Sequence, residues 1–230
     1  YKFVADKAYG DAMRQEGINL DDDEDFMVYF MIDVTRSYVA MLKRNGYTKL
    51  DKDNVIPMAA LKVNEDYINS MKKAGFTDLP MDQLVPLKAV GVTAEYAEEI
   101  RKAGYPNVSA NQLITFKAQG IDAKYIADIS KSGMLDEKKN ESENRTNNNN
   151  NRNNTPSPDN ITAFKALHID EEYISSLKEV GYSNLSAEQL MSMRGVKITT
   201  EYIRKWQDAG YRDIPAPDLV ALKGQDITTK

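Results

Sequence analysis

The stretch "GVTAEYAEEIRKAGY", residues 91–105, contains a pattern that recurs along the whole chain of 230 residues. Its tyrosine, Tyr96, is one of seven equivalent tyrosines, and a glycine follows each of them after eight residues. The pairs are Tyr9 and Gly17, Tyr38 and Gly46, Tyr67 and Gly75, Tyr96 and Gly104, Tyr125 and Gly133, Tyr173 and Gly181, and Tyr202 and Gly210. Successive tyrosines lie 29 residues apart, except that 48 residues separate Tyr125 from Tyr173. A fixed step of this size indicates tandem repeats.

Each repeat begins with a segment that has its own helix start and stop signals. Asp, Thr or Asn stands three residues before every tyrosine, as Thr93 does before Tyr96. The oxygen of such a side chain can accept a hydrogen bond from an N–H group of the first helical turn. The glycine suits the left-handed position that follows a helix, and basic residues before it complement the helix dipole. The pattern predicts a helix in every repeat, which we name helix A.

A second helix, named helix B, is predicted between each glycine and the next helix A. Ser109 and Gln112 have the spacing of a capping box, in which two side chains satisfy the free backbone donors of a helix start. Apolar residues follow 17 and 20 residues after each tyrosine, when the insertion after Tyr125 is not counted. Pro57 and Pro86 lie inside this segment, where proline removes a backbone donor. We therefore expect helix B to start late or to be kinked in those two repeats.

The predicted fold class is all-α, an α-solenoid of tandem helix-turn-helix hairpins with a 29-residue period. A hairpin of this length is too small to bury its own apolar face, and stacked copies can bury it against one another. The repeated tyrosines and the single tryptophan, Trp206, lie at helical spacing on that apolar face. Their predicted role is therefore packing in the core or between repeats.

The repeat pattern also predicts the domain organisation. Residues 1–135 contain the first five helix A segments, and residues 155–230 continue the array and end at the start of a further unit. Residues 136–154, "DEKKNESENRTNNNNNRNN", interrupt one hairpin. Their low hydrophobicity and asparagine run predict a disordered loop, with a docking segment as the alternative. Both ends of the sequence fall inside a repeat, and we expect it to be a piece of a longer protein.

Composition excludes several classes of function. Hydrophobic residues make up 41% of the chain and charged residues 28%, which is typical of a soluble protein. No run approaches the length of a membrane span, and the first residues lack the pattern of a signal peptide. With no cysteine, the chain has no thiolate metal site or thiol nucleophile. With His168 as the only histidine, a paired-histidine zinc site is excluded, and we expect His168 in a surface turn.

The acidic run at residues 21–25, "DDDED", lacks the spacing of a calcium-binding EF-hand loop. An EF-hand loop requires glycine at its sixth position and glutamate at its twelfth. Counted from Asp21, these positions hold Phe26 and Ile32. The run lies where the first helix B should begin, so we interpret it as acidic capping of that helix. We predict no enzyme activity, no catalytic residue, no metal site and no cofactor.

A basic residue recurs 21 residues after the tyrosine in the last five repeats, counted without the insertion. We name this set the basic ladder: Lys88, Lys117, Lys165, Arg194 and Lys223. Equivalent positions of a solenoid line up, so the ladder is a candidate surface for an anionic partner. The alternative is that these cations complement helix dipoles and keep the surface polar.

The junction "LKAVGVTAEYAEEI", residues 87–100, joins a helix B to the next helix A through a short glycine turn. It resembles the helix-hairpin-helix motif, which binds DNA phosphates, but the paired glycines of that motif are missing. The formal net charge is −5, whereas binding to phosphates needs a basic surface. We predict no nucleic-acid partner.

The repeat as a whole reads G-V-T-x-E-Y-I-x-x-L-K-x-x-G-Y-x-x-L-S-x-x-Q-L-x-x-L-K. Residues 91–117, "GVTAEYAEEIRKAGYPNVSANQLITFK", and residues 170–194, "DEEYISSLKEVGYSNLSAEQLMSMR", carry it most fully. It resembles the tandem helical repeats that follow the membrane domain in some bacterial members of the β-lactam-sensing, antirepressor metallopeptidase family. The peptidase residues of that family have no counterpart here. The resemblance implies a non-catalytic, extracytoplasmic repeat region of a larger bacterial envelope protein.

These observations predict a scaffold that binds protein or peptide partners. Repeat arrays offer extended surfaces, and repeated polar positions outside the stacking face would select the partner. The alternative is an accessory sensory segment of a membrane-associated regulatory peptidase, which would bind a cell-wall fragment or another small ligand. A pocket that interrupts the regularity of the repeat would favour this alternative.

Overall fold

The computed structural model describes residues 3–133 and 155–229. Over these ranges the chain forms fourteen α-helices of nine residues each, and they contain no β-strand. The all-α prediction is therefore confirmed. The predicted disordered loop at residues 136–154 lies outside the described residues.

Odd-numbered helices correspond to helix A and even-numbered helices to helix B. Helix A is represented by α1 (Lys7–Gln15), α3 (Arg36–Arg44), α5 (Glu65–Lys73), α7 (Ala94–Lys102), α9 (Ala123–Lys131), α11 (Glu171–Glu179) and α13 (Thr200–Asp208). Helix B is represented by α2 (Asp23–Met31), α4 (Lys52–Ala60), α6 (Met81–Ala89), α8 (Ala110–Ala118), α10 (Pro158–Ala166), α12 (Ala187–Gly195) and α14 (Ala216–Gly224).

The predicted start and stop signals of helix A operate as expected. The side chain before the first turn accepts a backbone N–H; for example, Asn64 Oδ1 accepts from Tyr67 N at 2.9 Å. The glycine eight residues after the tyrosine has a positive φ in every repeat, from 65° at Gly133 to 130° at Gly104. A side chain with a Cβ is disfavoured in that conformation, which explains why the position is always glycine.

Of the two alternatives expected for helix B at Pro57 and Pro86, a late start or a kink, the late start is wrong. Helix α4 begins at Lys52 and α6 at Met81, and each is nine residues long, like every other helix B. Each proline occupies the sixth position of its helix, where it removes one intrahelical hydrogen bond. Asp51 and Asn54 form a capping box that satisfies the start of α4. The remaining bonds and the packing of α4 against α6 hold the helix through the proline.

The described residues form two compact units. One extends to Glu98 and includes Val108–Lys117; the other contains Glu99–Asn107 and the residues from Ala118 onward. In the first unit, α2 packs against α4 and α4 packs against α6. In the second, α10 packs against α12 and α12 against α14. Each of these four contacts joins a helix B to the helix B of the next repeat.

Helix A also reaches back to the preceding helix A. The side chain five residues after the tyrosine contacts the C-cap residue of the previous helix A. The pairs are Lys43 with Glu16, Lys72 with Asn45, Lys178 with Ser132, and Gln207 with Val180. In the last three pairs the acceptor includes a backbone carbonyl at a helix end, which lacks an intrahelical donor. Each of these three contacts therefore satisfies a backbone carbonyl at the end of one helix and joins two repeats.

The core follows the repeat pattern. Helix A buries residues such as Ile174 and Leu177, and helix B buries residues such as Leu190 and Met193; all four are fully buried. Trp206 is 9% exposed and packs edge-on against Tyr202 and Tyr211, with ring centroids at 6.3 Å and 5.6 Å. The packing role predicted for Trp206 is confirmed.

Candidate functional site

The repeated tyrosine of helix A joins its own repeat to the next one. Tyr67 Oη donates a hydrogen bond of 3.0 Å to the carbonyl of Val92, the residue just before Thr93. Thr93 in turn accepts the backbone N–H of Tyr96 and starts the next helix A. Equivalent bonds run from Tyr9 to Val34, Tyr125 to Ile169, Tyr173 to Ile198 and Tyr202 to Ile227, at 2.6 to 3.3 Å. The phenol therefore fixes the start of the next helix A.

Three of these phenols, those of Tyr67, Tyr125 and Tyr173, are held in their protonated form. Burial raises the pKa of Tyr67 to about 12. Burial also raises the pKa of Tyr173 to about 12, although the positive charge of Arg194 acts in the opposite direction. The pKa of Tyr125 is raised well above its ordinary value, first by burial and then by the negative charge of Asp170. At neutral pH each hydroxyl is a hydrogen-bond donor, as its contact with a carbonyl requires.

Each residue of the basic ladder lies over the ring of the tyrosine in its own repeat. The charged group is 4.4 Å from the ring centroid for Lys88 over Tyr67, Lys117 over Tyr96 and Lys165 over Tyr125, 4.5 Å for Arg194 over Tyr173 and 4.9 Å for Lys223 over Tyr202. A cation in this position is attracted by the negative face of the ring, by about 0.5–1 kcal/mol at exposed sites. All five side chains are half-buried. The ladder is thus a set of cation–tyrosine pairs, one in each repeat.

Arg194 is held at a second point. Its Nε donates a hydrogen bond of 3.1 Å to the carbonyl of Leu167, which is the C-cap residue of α10. The guanidinium therefore lies over the ring of Tyr173, and its Nε satisfies a carbonyl at the end of the preceding helix B. A side chain fixed by two contacts loses less conformational entropy when it binds a partner.

Two ladder cations line polar recesses. Arg194 borders a recess of about 360 Å³ together with Glu172, Ser176 and Thr199. Lys223 borders one of about 190 Å³, where Glu201 and Lys205 occupy the positions that correspond to Glu172 and Ser176. Because a carboxylate accompanies the cation in both, these recesses offer a basic group, an acidic group and hydroxyl groups. Such a surface suits a polar peptide better than a uniformly charged polyanion.

The cation–tyrosine pair is missing from the first two repeats. Phe30 and Ala59 occupy the ladder position there, and Phe30 is 76% exposed. The hydroxyl of Tyr38 is buried and makes no hydrogen bond within the described residues. The pairing of the tyrosines with the ladder cations was not predicted from the sequence. Their constant spacing of 21 residues was the signal that could have revealed it.

The hydrogen bond of Tyr67 yields a stability prediction with an internal control. Tyr67→Phe leaves the carbonyl of Val92 without its donor, so we expect the free energy of unfolding to fall by about 1–2 kcal/mol. Tyr38→Phe removes a hydroxyl that has no partner, so it should be neutral within about 0.5 kcal/mol or stabilising. Urea unfolding followed by circular dichroism measures both. Equal losses in the two variants would contradict the role assigned to the hydrogen bond.

The structure also shows where the acidic run at residues 21–25 and His168 lie. Asp22 caps α2 and accepts the N–H of Asp25 at 2.9 Å, which confirms the capping interpretation of the acidic run. Asp25 in turn accepts from the N–H of Asp21 and pairs with Lys52. His168 is exposed with φ of 55° just after α10, so its predicted place in a surface turn is confirmed. Across residues 3–133 and 155–229, no three or more His, Cys, Asp or Glu side chains are grouped to hold a metal ion.

Two further findings concern membrane-spanning helices and similarity to known proteins. None of the helices in the described part of the chain has the length and apolar character needed to cross a membrane. Comparison with known proteins gives no match, whether with protein-family models, curated proteins or solved structures.

Proposed function

We propose that the chain is a non-catalytic α-solenoid scaffold that binds protein or peptide partners. Three kinds of contact between consecutive repeats support the solenoid arrangement and its 29-residue period. Helix B packs on the next helix B, helix A closes the end of the previous helix A, and the tyrosine fixes the start of the next helix A. A chain of such nearest-neighbour contacts is what a solenoid requires.

The observation that carries the binding proposal is the repeated cation–tyrosine pair. The ring is held by its hydroxyl, and the cation is held on the ring, as Tyr67 and Lys88 illustrate. The charged groups are therefore positioned before a partner arrives, which lowers the entropy lost on binding. We propose that, within each unit, acidic side chains of the partner meet these cations.

The recesses beside Arg194 and Lys223 support a peptide as the partner. The recess beside Lys223 contains the carboxylate of Glu201. The recess beside Arg194 contains two carboxylates, Asp170 and Glu172, and would repel the closely spaced charges of a nucleic acid. The net charge of −5 has the same effect. A peptide with separated acidic residues and hydrogen-bonding groups between them avoids this repulsion.

The second proposal, a sensory segment of a membrane-associated regulatory peptidase that binds a small ligand, is less well supported. The two recesses are lined by equivalent repeat positions, so they follow the repeat and do not interrupt it. From the resemblance of the repeat alone, we also propose an extracytoplasmic place in a larger bacterial envelope protein.

A peptide-display selection tests the binding proposal. Random peptides are selected against the whole chain, and enriched peptides are tested against the triple variant Lys88→Gln, Lys117→Gln and Lys165→Gln. Glutamine keeps much of the side-chain length and removes the charge. We expect enriched peptides to be acidic and to lose affinity for this variant by about ten-fold or more, since each pair contributes a charge-assisted contact.

The matched control removes the same charge from exposed lysines outside the ladder, in the triple variant Lys62→Gln, Lys73→Gln and Lys197→Gln. We expect this control to bind the selected peptides with nearly unchanged affinity. An equal loss in both variants, or a selection that enriches no peptide, would overturn the assignment of the ladder as the binding surface.

A further inference from the structure

An apolar groove lies between α4 and α6 in the first unit. It encloses about 580 Å³ and is lined mainly by Pro57, Pro80, Met81, Val85 and Pro86. We name it the proline groove. No ladder residue lines it, and its apolar walls differ from the polar recesses beside Arg194 and Lys223.

The groove is formed by apolar side chains that are not part of the buried core. On α6, Leu84 and Leu87 are 1% and 0% exposed and supply the contacts to the core. Val85 and Pro86 lie between them in sequence, are half-buried and line the groove instead. The turn before Pro80 is fixed by Tyr47, whose hydroxyl donates to the carbonyl of Leu79 at 3.0 Å. The turn at one edge of the groove is thus held in place, and the residues that line the groove are not needed to form the core.

Acidic residues lie in the helices of the first unit that contain or adjoin the groove. Acidic residues occupy the first turns of the three helices, at Asp23, Glu24 and Asp25 on α2, Asp53 on α4 and Asp82 on α6. Asp82 itself lines the groove. Lys52, the basic residue at the start of α4, is already paired with Asp21 and Asp25, at 3.0 Å and 2.9 Å. Because Lys52 is paired with these two acids, it does not neutralise Asp82, whose carboxylate stays a negative charge at the groove.

The neighbouring helix exposes further apolar side chains. Helix α2 packs on α4 and exposes Met27, Phe30 and Met31 by 42%, 76% and 74%. Exposed apolar patches bordered by polar residues mark interaction sites in monomeric proteins. The combination of an apolar floor and an acidic edge selects for a partner with apolar and basic side chains.

We propose that the proline groove docks an amphipathic basic helix of another protein. The apolar face of that helix would lie on Pro57, Val85 and Pro86, and its Lys or Arg residues would meet Asp82. Helix-in-groove recognition uses such an arrangement of apolar anchors and flanking charges. Extended proline-rich peptides bind grooves lined by aromatic rings, and no aromatic residue lines this one. A second copy of this chain would bring its own acidic surface and be repelled.

The probe is a synthetic, dye-labelled amphipathic helix of leucine and lysine, titrated with the whole chain and followed by fluorescence anisotropy. The test variant is Val85→Lys, and the matched control is Val220→Lys on α14. Both valines stand at the same repeat position, directly after a buried leucine, Leu84 or Leu219. We expect one peptide to bind per chain, with the dissociation constant raised about ten-fold or more by Val85→Lys and unchanged by Val220→Lys.

A second pair of variants acts at the exposed edge, where a loss of folding is not expected. Asp82→Lys should weaken binding of the leucine–lysine helix several-fold, whereas Glu188→Lys, at the same position on α12, should not. Circular dichroism confirms that each variant is folded. A leucine–glutamate helix of the same arrangement should not bind.

Four results would overturn the proposal. These are no binding of the leucine–lysine helix, equal weakening by test and control variants, equal binding of the leucine–glutamate helix, and a wild-type dimer that Val85→Lys converts to a monomer. The second would show attraction to the acidic chain in general, and the third would show that charge does not select the partner. The fourth, measured by sedimentation, would make a second copy the occupant of the groove.

Discussion

Phe164→Ala should lower the free energy of unfolding by about 3–5 kcal/mol, which is typical when a fully buried aromatic side chain is truncated. Phe164 is 0% exposed and lies on α10, which packs against α12 of the next repeat. Its removal therefore costs apolar burial and leaves a cavity at the contact between two repeats. Urea unfolding of the variant and the wild type measures the difference.

The control is the same substitution at an exposed phenylalanine. Phe30 lies on α2 and is 76% exposed. It stands 21 residues after its tyrosine, whereas Phe164 stands 20 residues after its own, counted without the insertion. Phe30→Ala should change the free energy of unfolding by less than about 0.5 kcal/mol. A loss below about 1 kcal/mol for Phe164→Ala, or similar losses for both variants, would contradict the packing between α10 and α12 described above.

Raising the pH above about 10 should unfold the chain cooperatively. Burial raises the pKa of Tyr9, Tyr67 and Tyr173 from 10.0 to about 12 each. Below pH 10 both folded and unfolded states keep these phenols protonated, and their contribution to stability is complete. Between pH 10 and about 12 the unfolded state releases its protons first, so the free energy of unfolding falls as the pH rises.

Tyrosinate absorbance and circular dichroism, recorded in one alkaline titration, test this expectation. The buried phenols should ionise together with the loss of helix, at a pH above the ordinary range of tyrosine. Ionisation of all thirteen tyrosines near pH 10 with the helical signal intact would show that the repeated phenols are not buried as the structure describes.

Helix A was predictable because its signals are local and redundant. Its cap residue, its apolar positions and its terminal glycine act within one segment of the chain, and they agree in all seven repeats. Helix B was harder because the effect of a proline depends on its surroundings. The sequence shows the hydrogen bond that Pro57 removes, whereas the packing of α4 against α6 is visible only in the structure.

The candidate site was predictable in part for the same reason. The sequence identified the five ladder cations but not the rings beneath them, since the pairing joins residues of two helices. The proline groove was missed because α6 carries apolar residues on more than one side, such as Leu84, Val85 and Leu87. Periodicity cannot assign the face that packs when both faces are apolar. The unpaired hydroxyl of Tyr38 likewise depends on geometry that the repeated sequence does not reveal.

The central claim is that a hairpin folds because its neighbours support it. Nine-residue helices are marginal in isolation, and a single hairpin is too small for a core of its own. The most direct measurement compares the helical content and urea unfolding of two fragments, residues 171–195 and residues 155–229. The first contains one hairpin, α11 and α12, and the second contains α10 to α14. We predict a largely unfolded hairpin and a helical longer fragment that unfolds cooperatively. A hairpin that is as helical per residue as the longer fragment and unfolds cooperatively by itself would contradict the claim.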